Sequence, residues 1–449
     1  MKRIDSEERP AVRVAWYSGL LLAVALLMAL AALAMLLGEG GRGRSYFENT
    51  SALENAGEAR ISPEWSAAER MWGDLGRPVS GMAGEFEPQA ALLLACDELV
   101  EEHAQTFADL VAAAHRHIKL VGLVSSNMVR LRSEELLAES GIPKGAVAFV
   151  QVPQQTVWIR DYGPLFVRTE GGGAAVVDSD RSARCSTGDE TVPTEIARIL
   201  RVPRIISPLA VEGGNLLTNG EGLCVTTSAI VNGDAPTSRE TVADSLRDEF
   251  GFARWVHLRP PQWVETEHVD MFMAFLAPDV VVVSRAVSGV DPENALALDA
   301  AAEQLSREKT SRGPMKVWRV PLGNCSDGVF RTYTNIIIAN DVVLVPVYPN
   351  DDLKVRKEVL DLYSRLMPGR KVVGIFAESL IQHGGALRCM SMNVPTFVKL
   401  PRAGFEWVSP RCELDNGAVD LRVGAGPHNG YQPVKAVPRC GAVDERCGL

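Results

Sequence analysis

Apolar residues are distributed in two ways along this chain. Near the N-terminus they form one block: Val14 to Leu37 contains no charged residue. At 1.5 Å per residue such a helix is long enough to cross a hydrocarbon core of about 30 Å. From about residue 90 the apolar residues instead come in short runs separated by Gly, Asn, Asp and Pro. Ala90 to Ala95 and Lys119 to Ser125 read as strands. They flank Cys96 to His117, where Leu99, Phe107, Leu110 and Val111 recur near helical spacing. This gives a β, α, β order. Gly171 to Asp178, Leu223 to Ile230, Val280 to Ser284, Asn335 to Ile338 and Val342 to Val347 are further β-branched strands. Ser238 to Phe250, Asn294 to Glu308 and Asp352 to Leu366 carry apolar residues at three- and four-residue steps and read as helices. The fold class is α/β.

Charge gives the apolar block an orientation. Lys2, Arg3, Arg9 and Arg13 precede it, and Arg42 and Arg44 follow it. The positive-inside bias puts the N-terminus in the cytoplasm and the body outside, in the periplasm or at the cell surface. The competing reading is a cleaved signal peptide and a secreted protein. Its apolar region normally spans about 7–15 residues and ends at a small-x-small site, for which Ala32-Leu33-Ala34 is the candidate. Gly38 to Ser62 is polar, has no sustained period and reads as a linker.

Composition narrows the class. The chain has 449 residues, 46% of them hydrophobic and 23% charged, the balance of a globular protein with a large core. Length alone suggests roughly three domains. Its 46 basic and 56 acidic residues give a net charge of −10. With no Lys/Arg block beyond the N-terminus, a nucleic-acid footprint is excluded and a cationic small substrate fits better. The eight cysteines form no CxxC pair, so zinc has no support in their spacing. In an exported body Cys412, Cys440 and Cys447 have a compartment that permits a disulfide.

Several strand pairs begin with a polar signature: Arg160-Asp161, Glu212-Gly213-Gly214-Asn215, His268-Val269-Asp270, Tyr333-Thr334-Asn335, and His383-Gly384-Gly385 before Cys389. Asp161, Asn215, Asp270, Asn335 and Cys389 are separated by 54, 55, 65 and 54 positions. Such a period indicates repeated supersecondary units. Five units closed around an axis would bring Asp161, Glu212, His268, Asp270 and Cys389 together. The alternative is that polar residues simply end strands.

These residues suit one chemistry. A cysteine attacks as thiolate, so a cationic neighbour or substrate must favour its ionisation. His268 supplies charge and a proton, and two positions on, at a strand start, Asp270 would share its face. A guanidinium is planar, always charged and offers five donors, so Asp161 and Asp270 on its edges would hold it rigidly. Glu212 would orient His268 and stabilise its imidazolium. Taken singly, Cys389 reads as a small buried hydrophobe, Glu212 as a solvated turn residue and Asp161 as the partner of Arg160.

The ordered motifs Trp158-Ile159-Arg160-Asp161-Tyr162-Gly163-Pro164, Glu212-Gly213-Gly214-Asn215, His268-Val269-Asp270, Tyr333-Thr334-Asn335 and the Gly-Gly segment before Cys389 resemble the agmatine deiminase and bacterial peptidylarginine deiminase family. The resemblance runs from Pro78, through Glu85-Phe86-Glu87-Pro88-Gln89, to Pro395. It implies the pentein fold, a five-bladed α/β propeller. With the apolar block and linker, which it leaves uncovered, the chain divides into a cytoplasmic 1–13, a transmembrane 14–37, a linker 38–77, a catalytic domain 78–400 and an extension 401–449. It further implies Cys389 as nucleophile, His268 as general acid/base, Asp161 and Asp270 on the guanidinium, and Glu212 behind the histidine. Trp158 and Asn335 match motif positions and are candidates to contact the substrate stem or its backbone, with a structural role as the alternative. No metal and no organic cofactor is implied. The family usually has His before the cysteine, where this chain has Arg388. That arginine either lowers the thiol pKa or marks altered activity.

The resemblance implies hydrolysis of a guanidino group to a ureido group with release of ammonia. An exported enzyme would meet peptidyl-arginine or arginine, and Arg181 and Arg184 are candidates to pair with a substrate carboxylate. Agmatine deimination in putrescine synthesis is the alternative. Two other classes stay open: an amidase or cysteine peptidase, disfavoured by the twin acids, and a tethered pseudoenzyme that binds cationic peptides.

Overall fold

Five times in the computed structural model, two short strands form an antiparallel hairpin and a third returns parallel to the second. The structure describes residues 79–179, 188–232, 238–287 and 289–401. The apolar block 14–37, the linker, Arg181, Arg184 and the tail cysteines lie outside these residues. No helix among the described residues is long and apolar enough to cross a membrane.

In the first unit Leu165–Thr169 pairs with Ala174–Ser179, which runs parallel to Arg204–Ser207 after the helix Val192–Leu200. Leu217–Thr218, Leu223–Thr227 and Arg254–Leu258 repeat the pattern across the helix Arg239–Asp248. Met273–Ala277, Val280–Arg285 and Lys316–Pro321 do so across Pro292–Ser306. Ile337–Ala339, Val342–Val347 and Lys371–Phe376 follow, across Leu353–Leu366. The fifth unit joins the two ends of the described chain. Ser391–Pro395 pairs with Gln89–Ala95, which runs parallel to Lys119–Val124 and, beyond it, Val147–Gln151. The period of about 55 residues read from the motifs is therefore the length of one unit.

Each middle strand is covered on both faces, so its sequence is a continuous apolar run rather than an alternation. Val342–Val347 is buried at every position. The helix Ala104–Ala114 contributes Phe107, Leu110, Val111 and Ala114 to the core, the i, i+3, i+4, i+7 face of an amphipathic helix. Ser238, Asp291 and Asp352 are caps, each side chain accepting a backbone N–H from the first turn. This is why the helices there begin at Arg239, Pro292 and Leu353.

Some boundaries differ from the expectation. The helical stretch after Cys96 is two helices, Cys96–Glu102 and Ala104–Ala114. His103 breaks it with non-helical backbone (φ −126°, ψ 31°), its ring held by Ser379 Oγ at 2.9 Å. The strand expected from Leu223 to Ile230 ends at Thr227 and gives way to the helical turn Ala229–Asn232.

The polar signatures precede the strands in tight turns. They occupy the helical turn Ile159–Tyr162, the 3-10 turns Gly213–Asn215 and Val269–Met271, a bend at Tyr333 and Thr334, and the turn at residues 387–390. These five turns meet one another in a ring. Arg160 N–H donates to Cys389 O (3.1 Å), and Arg388 N–H to Asn335 O (3.3 Å). Thr334 Oγ1 donates to Asp270 O (3.4 Å), and Val269 N–H to Asn215 Oδ1 (3.3 Å). Gly213 closes the ring against Arg160, whose carbonyl oxygen would lie 2.3 Å from a Cβ at that position. Only glycine allows the approach.

Candidate active site

The ring of turns puts residues far apart in sequence into one buried pocket. His268 is 2% exposed, and its Nε2 lies 2.5 Å from Glu212 Oε2. Its Nδ1 faces Asp161 Oδ1 at 3.5 Å. A side chain at Gly214 would place its Cβ 2.4 Å from His268 Nδ1 and 2.7 Å from Asp161 Oδ1, so glycine is required between the turn and the imidazole. His268 and Asp270 do not share a strand face as expected. His268 caps a 3-10 turn that contains Asp270, and the turn aims both inward.

Cys389 is buried and is held from the neighbouring unit. Asn335 Oδ1 accepts the backbone N–H of Arg388 (2.8 Å) and of Cys389 (3.3 Å), while its Nδ2 donates to Cys389 Sγ (3.2 Å). Asn335, for which a substrate contact and a structural role were both open, is fully buried and touches the thiol. Cys389 Sγ lies 3.9 Å from Asp270 Oδ2. Trp158 packs over Gly385, where a Cβ would meet its ring at 2.3 Å and Cys389 Cβ at 3.0 Å. Trp158 is thereby placed beside the thiol.

Burial and the carboxylates set the protonation states. Burial drives the Cys389 thiol well above its ordinary value, and Asp270 and Asp161 add to the rise. Burial alone would lower His268, but Asp161, Glu212 and Asp270 outweigh it and raise the imidazole to about 9. The same two aspartates act on both groups, so they stand where thiol and imidazole converge.

Beneath the thiol runs a buried chain of charges. Arg388 Nη1 donates to Asp270 Oδ2 (2.7 Å), and its Nε and Nη2 to Glu85 (3.0–3.2 Å). Glu85 also accepts from Arg160 Nη1 (2.7 Å). Arg160 thus pairs with Glu85 rather than with its neighbour Asp161 as the alternative reading had it. Arg388 is paired with Asp270 and Glu85. Burial raises Glu85, but Arg160 and Arg388 pull it below the usual carboxylate range. Burial and the charge of Arg388 bring Arg160 down to about 10. Glu85 stood in a quoted motif, yet nothing local marked it as a site residue, since its partners lie 75 and 303 positions away.

Among the described residues, Asp161 and Glu212 thus stand against His268, and Asp270 and Glu85 against Arg388. The buried Asp270 Oδ1 has no hydrogen-bond partner among the described residues. A thiol, an acid/base and acceptor oxygens around a planar cation can form and break a covalent adduct at the cation's carbon.

A family model described as Porphyromonas-type peptidyl-arginine deiminase matches residues 81–395. A Yersinia pseudotuberculosis protein provisionally named an agmatine deiminase is 25% identical over 328 residues, covering 65% of this chain and 87% of its own. The crystal structure of a Porphyromonas gingivalis protein provisionally called an arginine deiminase superposes with a TM-score of 0.61 at 24% identity. It covers 70% of this chain and 98% of its own. The C. jejuni agmatine deiminase with substrate bound gives 0.60 at 20% identity, covering 70% and 96%.

Proposed function

This chain belongs to the Porphyromonas-type peptidyl-arginine deiminase family, and from that premise we propose that it is a hydrolase that converts a guanidino group to a ureido group with release of ammonia. The observation that carries the reading is the meeting of Cys389, His268, Asp161, Asp270 and Glu212, with the buried Asp270 Oδ1 left without a hydrogen-bond partner among the described residues.

The substrate cation docks between Asp161 and Asp270, where Asp270 Oδ1 is an available acceptor. Its positive charge beside Sγ favours loss of the thiol proton to solvent. The thiolate attacks the guanidinium carbon and forms a C–S bond. His268, held by Glu212 at Nε2, gives its proton to the departing nitrogen, and the C–N bond breaks with loss of ammonia. The neutral imidazole then takes a proton from water, which attacks the thiouronium carbon. The C–S bond breaks, the hydroxyl proton of the adduct passes to solvent, and the ureido product and the thiolate are left. No step calls on a metal or organic cofactor.

Peptidyl-arginine or free arginine is the favoured substrate, supported by the family match and by the case for an exported body. Agmatine is the second reading, supported by the names of the relatives. The body is anchored through 14–37 and lies outside the cytoplasm, or is secreted after cleavage. Both placements rest on the apolar run and its flanking charges.

Citrulline and ammonia release by the purified chain on agmatine, arginine and arginine-containing peptides tests the activity. Turnover of one of them, lost in Cys389→Ala, is expected. Lack of turnover with all three, with cationic peptides still bound, would establish the pseudoenzyme instead. Digestion of intact cells with an added protease tests the location, and a protected body would refute it.

A further inference from the structure

We propose that Glu98, Glu102 and His103, at the corner between the helices Cys96–Glu102 and Ala104–Ala114, bind a divalent transition-metal ion. Glu98 and Glu102 are four residues apart and share one helix face. One carboxylate oxygen of each and one imidazole nitrogen of His103 lie within 4.8 Å of one another. Ligands around an ion with bonds of about 2.1 Å stand about 3–3.5 Å apart. Glu102 is exposed and can move towards the other two ligands.

The two glutamates are an unfavourable pair as they stand. Like charges at i and i+4 destabilise a helix, and Asp97 and Glu101 repeat the pattern on the same seven residues. Glu101 has Arg132 at 3.1 Å. Neither Glu98 nor Glu102 has a Lys or Arg partner among the described residues. Glu98 Oε2 accepts the backbone N–H of Val157 (2.6 Å).

His103 provides the independent observation. It is 3% exposed, its Nδ1 is bonded to Ser379 Oγ at 2.9 Å, and its buried Nε2 has no hydrogen-bond partner among the described residues. Leaving such a nitrogen unpaired in the interior is costly. In the tautomer whose Nδ1–H donates to the serine, Nε2 carries the lone pair, the arrangement typical of metal-ligating histidines. One nitrogen with two carboxylates suits Zn²⁺ and its first-row neighbours, whereas Ca²⁺ and Mg²⁺ take oxygen alone.

The site lies next to the reaction pocket without belonging to it. Glu98 secures Val157, the residue before Trp158, and Ser379 precedes the Gly384-Gly385 segment on which Trp158 packs. A metal here would brace the two loops flanking Cys389. Metal binding does not require that the chain turn over a guanidine, so its test is separate from the assays above.

The full chain, stripped with a chelator, is titrated with ZnCl₂ by calorimetry and with Co²⁺ by visible absorption. Zn²⁺ is expected to bind at one ion per chain and raise the melting temperature, and bound Co²⁺ is expected to show d–d bands. Glu102→Gln and Glu98→Gln should each weaken Zn²⁺ binding by about ten-fold or more and remove the thermal shift. Glu102 is exposed, so its variant folds even where a His103 variant does not. The proposal is overturned if the wild-type chain binds no Zn²⁺, or if both glutamine variants bind it as the wild type does, as metal held by cysteines would.

Discussion

Arg388 and Asp270 form an ion pair of 2.7 Å in which the arginine is 4% exposed and the aspartate is wholly buried. A guanidinium of the protein itself thus occupies one oxygen of a carboxylate proposed to grip a guanidinium of the substrate. The other oxygen, Oδ1, remains to face the pocket. Arg388 fixes the orientation of Asp270 and is itself fixed by Glu85.

Arg388→Ala should therefore leave Asp270 and Glu85 buried without that cation. Losing one member of such a group costs about 3–5 kcal/mol. The urea midpoint should fall accordingly, and Arg388→Lys should recover only part of the loss because it lacks the fork that reaches both carboxylates. An unchanged midpoint in Arg388→Ala would show that the chain of charges adds nothing to stability.

The pH dependence of stability has a definite sign at His268. Its pKa is raised from 6.5 to about 9 in the folded protein. The imidazolium is favoured by folding, and its contribution, of the order of 3 kcal/mol, is fully present below about pH 6.5. It is lost as pH rises towards 9. In Glu212→Gln the raised pKa should drop towards the ordinary value, and this part of the pH dependence should shrink. An NMR titration of the imidazole measures both, and a His268 pKa near 6.5 in the wild type would contradict the assignment.

Cys389 should be a thiol in the free protein. Burial raises it, with Asp270 and Asp161 adding to the effect. Alkylation by iodoacetamide, followed at the Cys389 peptide by mass spectrometry, should be slow at pH 7 and climb with pH without a plateau below pH 9. A plateau near neutrality would mean a resident thiolate.

Gly214→Ala tests the close approach at the imidazole. The added methyl would lie 2.4 Å from His268 Nδ1. Displacing the ring should lower kcat by about a hundred-fold, while circular dichroism stays that of the wild type. Activity within a few-fold of wild type would show that the turn yields without moving the histidine.

The legible parts of this protein were those with local causes. Val280–Arg285 is a strand because a β-branched run covered on both faces can be little else. The repeat spacing was also visible, and it supplied the five units and the convergence of Cys389, His268, Asp161, Asp270 and Glu212. The secondary structure of the signatures was not visible. A single turn such as Val269–Met271 is too short for hydrophobic periodicity to register, and its conformation depends on bonds to Asn215 and Thr334.

By itself, the sequence determined the α/β class, the repeat and the residues able to handle a guanidinium, because pattern and side-chain chemistry are written residue by residue. The tertiary structure alone decided what Glu85, Asn335 and Arg388 do. Glu85 neutralises two arginines, Asn335 holds the thiol, and Arg388 takes an oxygen of Asp270. Such roles depend on which charges and donors meet in a space without water, and burial sets both the strength of each pair and the cost of lacking one.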